Sequence, residues 1–232
     1  MIDFHIHSEY SDGDQTLEEI VSTAKRRQLE AIAITDHISH DGTFMYLRNT
    51  EPPRPLSEYI RNIKKISKET GFKIYIGAEI SDFSSPSIPL IKEFSNMDLI
   101  LVETQKPRGP TDPNFDPIKR AVSIKKQFKN IPVGLAHPEI DFIEHNIDSF
   151  GNNEIFLELN GDKLSRTNSP LQTLLNKIKT LLINNPNIKI SIGSDAHQIF
   201  MIGSITPIWN FIVNNDFLDK LILFPFSSKN FK

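Results

Sequence analysis

Two histidines one residue apart, His5 and His7, stand almost at the start of the chain, and Asp12 follows in a Ser-Asp-Gly turn. Further on, the same kinds of side chain close short apolar runs: Asp36 with His37, Glu79, His137, and Asp195 with His197 just beyond. On a strand, residues two apart share a face, so His5 and His7 can grip one ion while Ile2, Phe4 and Ile6 point the other way. Imidazoles mixed with carboxylates, without thiolates, suit zinc, manganese or iron, and a carboxylate such as Glu79 can bridge two of them. Clustered divalent ions lower the pKa of a bound water and clamp a phosphoryl oxygen, which is the chemistry of phosphoester hydrolysis. A single His-x-His pair says little, because histidine also serves as a hydrogen-bonded core residue. The repetition is what points to metal, since structural histidines have no reason to gather at the ends of apolar runs. His145, in the polar helical stretch "DFIEHNID", reads as a solvated surface side chain, and His40 as a loop or supporting residue.

The elements that must position these residues follow one alternation. Apolar, β-rich runs occur at 2–7, 31–37, 73–79, 98–103, 133–137, 155–160 and 188–195. Segments of helical periodicity separate them, such as "TLEEIVSTAKRRQ" (16–28), which follows a Thr cap candidate, and "PLSEYIRNIKKISKET" (55–70). Nearly continuous apolar strands alternating with helices predict parallel strands covered on both faces, and seven repeats favour a seven-stranded (β/α)7 barrel over an open sheet. In such a barrel the site lies at the carboxyl ends of the strands, where the clusters fall. The proline-rich stretch "QKPRGPTDPNFDP" (105–117) reads as a stiff loop of the kind that borders sites.

With 232 residues the chain is expected to form a single domain over 1–232, and no internal repeat or low-complexity tract is visible. There is no cysteine, which removes disulfides, thiolate metal sites and a Cys nucleophile. Twenty-six basic against twenty-nine acidic residues give a net charge of −3, so nothing favours a phosphate-backbone binder. No leader pattern and no apolar run of about 18 residues is present, which predicts a cytoplasmic protein with no membrane partner.

The motifs "DFHIHSEYSDG", "ITDH", "GAEI", "AHPE" and "GSDAH", in this order and spacing, resemble the polymerase and histidinol phosphatase (PHP) superfamily from residue 2 to about residue 200. The resemblance implies a distorted seven-stranded barrel holding two or three divalent ions. It implies His5, His7, Glu79 and Asp195 on one metal, Glu79 and His137 on a second, and Asp12, His37 and His197 on a third. Glu79, Asp195 and His197 are then the residues expected to carry catalysis. After the fourth strand the family often has a further histidine, whereas here Gln105 stands near that place and Glu103 is the other candidate. The segment "FLELNGDKLSR" resembles that of histidinol-phosphate phosphatase-like members, which makes Arg166 a candidate phosphate clamp, with Arg108 in the proline-rich loop a second.

The leading expectation is a metal-dependent phosphoesterase acting on a small phosphorylated metabolite, in which metal-bound hydroxide attacks phosphorus in line. A PHP-type nuclease acting on short nucleic acids is the alternative, disfavoured because the basic runs "KRR" and "KK" lie on expected helices rather than along a channel. The third reading is a barrel without catalysis, serving as a subunit of a ribonuclease P-like complex.

Overall fold

The computed structural model describes residues 1–47, 54–104, 112–166 and 169–222. The strands run in the order β1 (Ile2–Ile6), β2 (Ala31–Ile34), β3 (His37–Ile38), β4 (Lys73–Ile80), β5 (Leu99–Val102), β6 (Val133–Leu135), β7 (Phe156–Asn160) and β8 (Ile190–Gly193). Each pairs in parallel with the next along the path β1-β2-β4-β5-β6-β7-β8, while β3 pairs only with β4. The seven expected apolar runs are all strands. The second is broken at Thr35 and Asp36, and its two halves lie in sequence along β4, matching Ala31 to Lys73 and His37 to Glu79.

The first and last strands meet through a short seam. His7 N–H donates to the Ala196 carbonyl at 3.0 Å and Asp195 N–H to the His5 carbonyl at 2.9 Å, so the seven strands form a nearly closed barrel. The seam lies at the carboxyl ends, where His5, His7 and Asp195 are required. Asp3 stabilises it from below, its buried carboxylate accepting from the backbone N–H groups of Ser194 and Gly203.

Helices α1 (Leu17–Arg26), α2 (Leu56–Thr70), α3 (Pro117–Gln127), α4 (Ile140–Asn152), α5 (Gly161–Ser165), α6 (Leu171–Asn184) and α7 (Thr206–Asn214) fill the connections. Thr16 caps α1 in a reciprocal box with Glu19, satisfying N–H groups that the first turn leaves open. The periodic residues Leu17, Ile20, Val21 and Ala24 form its buried face. Gly71 ends α2 in the left-handed conformation, at φ 65°, which a residue without Cβ adopts at no cost. Among the described residues no helix is long and apolar enough to cross a membrane.

Candidate metal centre

Because every strand is parallel, every carboxyl end opens on the same face of the barrel. His5 lies in β1 with its side chain wholly buried, and His7 follows one residue past the strand. Their Nε2 atoms are 3.0 Å apart, and both face Glu79 on β4, whose Oε2 is 3.2 Å from His5 Nε2 and 3.5 Å from His7 Nε2. The same oxygen lies 3.1 Å from His37 Nδ1. Glu79 Oε1 faces the other way, 3.2 Å from His137 Nε2. Asp195 Oδ1 stands 3.2 Å from His7 Nε2 and 3.6 Å from His5 Nε2. Asp12 swings back over the mouth as expected, 3.6 Å from His37 Nε2 and 3.3 Å from His197 Nε2. All eight side chains named as ligand candidates in the sequence therefore meet at one place.

Among the described residues, three sets of ligand atoms lie within 4.8 Å of one another: His7, Asp12, His37 and His197; His5, His7 and Asp195; and His37, Glu79 and Glu103. His7 thus faces both of the first two sets, a sharing that the family pattern did not specify. Glu103, directly after β5, is 9% exposed and turns its Oε1 to 3.5 Å from His137 Nε2. It therefore occupies the place where Gln105 was the other candidate; Gln105 and Arg108 both fall outside the described residues.

Two of these positions depend on unusual backbone. His137 and Asp195 follow β6 and β8 with φ of 34° and 56°, the left-handed region that residues with a Cβ seldom enter. Such conformations persist where the surroundings fix them, and they aim both side chains inward.

The electrostatics follow from packing carboxylates and imidazoles out of water. Burial alone would raise the pKa of Glu79, but His37 and His5 beside it hold its carboxyl well below the ordinary range. Asp195 is likewise held low against its burial by His5, His7 and His137. For Asp12, burial is outweighed by the His197 hydrogen bond and by His37 and His7, which bring it down to about 2. Burial, together with His37 and His197, pushes His7 down to about 3. His137 and His197 rise to about 9 in spite of burial, the first through Glu103 and Glu79, the second through Asp12 and Asp195.

Several groups in the cluster have no hydrogen-bond partner although they are shut off from water: His7 Nδ1, Glu79 Oε1 and His137 Nδ1. Buried polar atoms are ordinarily satisfied, so orphans gathered at one spot fit residues that hold a ligand. Borderline nitrogen donors with hard carboxylate oxygens fit zinc, manganese or iron.

Sequence reading missed Glu158. This buried carboxylate on β7 holds His5 Nδ1 at 2.7 Å and accepts the His137 backbone N–H at 2.5 Å, so it orients one candidate ligand and positions another. A side chain at Gly193 would collide with both Glu158 and His5, so glycine is needed there to let β8 pass close. Lys163 was also missed; its Nζ lies 3.8 Å from Asp195 Oδ2. Arg166 caps α5, with a side chain 69% exposed and paired with Asp162 at 2.8 Å. His40 stands outside the three ligand sets, its Nδ1 2.5 Å from Asp82 Oδ2, and His145 is exposed on α4. Asp36 turns away from the mouth, accepting from Ser8 and Ser11.

The fold has counterparts among solved structures. The PHP domain family model matches residues 3–112. No curated protein matches the chain. Among solved structures, the histidinol phosphate phosphatase of Lactococcus lactis, complexed with zinc, L-histidinol and phosphate, is similar at 18% identity and a TM-score of 0.58, covering 92% of this chain and 93% of that one. The putative histidinol phosphatase of Listeria monocytogenes is 16% identical, with a TM-score of 0.51 over 88% of this chain and 97% of that one. A chain in an archaeal ribonuclease P bound to mature tRNA is 13% identical, with a TM-score of 0.50 over 94% of this chain and 88% of that one. At such identities these likenesses establish the barrel and leave the substrate open. The match to the PHP domain model spans His5, His7, Asp12, His37 and Glu79 among the candidate ligands.

Proposed function

We propose that this chain is a metal-dependent phosphoesterase that hydrolyses a small-molecule phosphomonoester. The observation that carries the reading is Glu79, whose two oxygens face separate sets of imidazoles at the barrel mouth, as a carboxylate shared between two cations would. His5, His7, Glu79 and Asp195 would hold one ion, Glu79, His137 and Glu103 a second, and Asp12, His37 and His197 a third. Two or three divalent ions bound there would supply an activated water and neutralise phosphoryl oxygens.

The chain's own residues do the rest. Glu158 accepts from His5 Nδ1–H, which leaves Nε2 as the lone-pair atom turned to the cluster. Asp195 and Asp12 stay ionised at neutral pH and set the negative frame that divalent cations require. His197, with a side chain 27% exposed, forms the outer rim beside Asp12 and Asp195, where a phosphoryl group would arrive. Arg166 and Lys163 stand on the α5 side as cations for the ester's oxygens.

The test is elemental analysis of the purified protein, followed by reconstitution with zinc, manganese or iron and assay against phosphomonoesters, phosphodiesters and short oligonucleotides. Monoester hydrolysis that is lost with a chelator and regained with metal is the expected result. A protein that binds no divalent ion would overturn the metal role, and one that cleaves only oligonucleotides would replace the small-molecule reading by the nuclease.

A further inference from the structure

Between α4 and α6 a cavity of about 430 Å³ opens beside the cluster, with His137 and Glu158 in its wall. Pockets that take small molecules run from about 300 to 1,000 Å³, so the space suits a metabolite. Its inner wall is apolar: Ile143, Leu159, Leu174 and Ile178 line it, and all four are buried.

The end nearest the cluster is polar. Lys163 lines it, and its ammonium stands 3.8 Å from Asp195 Oδ2. Local structure fixes this placement, because Asn160 Oδ1 at the end of β7 accepts the Lys163 backbone N–H at 3.0 Å and starts the short α5. Arg166, Lys177, Glu139 and Asp141 also line the cavity, so its apolar inner wall is bordered by charged groups. An apolar wall leading to Lys163 at the junction with a metal-ligand cluster has the polarity of a phosphate ester bound head to cluster and alcohol to cavity.

We propose that this cavity receives the alcohol portion of the substrate and that Lys163 holds the ester phosphate where cavity and cluster meet. The proposal rests on the phosphomonoesterase reading and narrows it: the substrate is the monophosphate of a small alcohol with a substantial apolar part. Lys163 is a binding residue for the phosphate, and Leu174 sets how large the alcohol can be.

The experiment measures equilibrium binding of inorganic phosphate and of ethyl-, butyl- and hexylphosphonate, the non-hydrolysable counterparts of the esters, to the metal-reconstituted protein by calorimetry, with hydrolysis of ethyl, butyl and hexyl phosphate in parallel. In the wild type, affinity should tighten by about fourfold per methylene as the alkyl chain meets the apolar wall, with inorganic phosphate as the reference. Leu174→Trp should flatten that series, and Thr173→Trp at the cavity's edge serves the same purpose if the first variant does not fold. Lys163→Gln should weaken phosphate and all three phosphonates alike by about tenfold, because a charge-assisted hydrogen bond is lost, and Lys163→Arg should recover most of it. Metal content should be unchanged in both Lys163 variants. If Lys163→Gln loses metal in step with phosphate, the lysine serves Asp195 and not the substrate. A wild type that hydrolyses the esters with no dependence on chain length overturns this proposal and leaves the phosphomonoesterase reading standing. A wild type that neither binds phosphate nor hydrolyses any ester overturns the reading beneath it.

Discussion

Glu79 is a wholly buried carboxylate that, among the described residues, has imidazoles and no lysine or arginine within ion-pair distance. An ionised carboxylate in such a place needs compensating positive charge, and the cluster's imidazoles provide only part of what two divalent ions would. Glu79→Gln keeps the shape and removes the charge. The expected outcome is a lower metal stoichiometry by elemental analysis and hydrolysis reduced by orders of magnitude, with an unchanged far-ultraviolet circular dichroism spectrum; full turnover with metal still bound would rule out a bridging role. Glu158→Gln acts one step further out. Since it orients His5, it should weaken metal binding by about 10–100-fold in a competition titration. All the candidate ligands but Asp12, which lies in a turn, were legible in the sequence because they stand at the ends of apolar runs, whereas Glu158 was not because it sits inside one, between Leu157 and Leu159. Its signal was nevertheless there: a lone acid within a strand buried on both faces needs a partner, and the polar groups in reach are at the strand ends.

Strands were legible from their apolar composition, and helices from spacing and caps, because hydrophobic periodicity is set by which face is buried. The break between β2 and β3 was not, since Thr35 and Asp36 leave the strand for tertiary reasons: Asp36 turns to Ser8 and Ser11, and the Thr35 hydroxyl lies 3.2 Å from Ile6 N. The close approach of β1, β7 and β8 was equally hidden, because it depends on a missing side chain at Gly193. Gly193→Ala must displace Glu158 or His5, and overpacking of this kind costs about 1–3 kcal/mol. Chemical denaturation should show a loss of that order, and the variant should also bind metal more weakly, since the Glu158–His5 hydrogen bond has to open. A variant with unchanged stability and unchanged metal affinity would mean that β8 can shift without disturbing the site.

At the scale of the whole molecule the cluster joins the barrel's first strand to its last, so what occupies it bears on the stability of the entire closure. In the metal-free protein His137 and His197 have pKa values raised from 6.5 to about 9. The stabilisation from their protonated forms is fully present below pH 6.5, the unfolded value, and is lost as pH climbs through about 9. Metal binding has the opposite sign. Ligating imidazoles must be neutral, so each ion displaces protons and binds more tightly across that same window. An ion present at about 100 times its dissociation constant adds about 2.7 kcal/mol per site. The melting temperature of chelator-treated protein should therefore fall from pH 6.5 to 9, that of metal-saturated protein should hold or rise, and the gap between them should widen. Calorimetric metal titrations in buffers of different ionisation enthalpy should show proton release at neutral pH. A gap that stays constant or narrows as pH rises would mean that His137 and His197 do not give up protons to metal, and with that the role of both as ligands would fall.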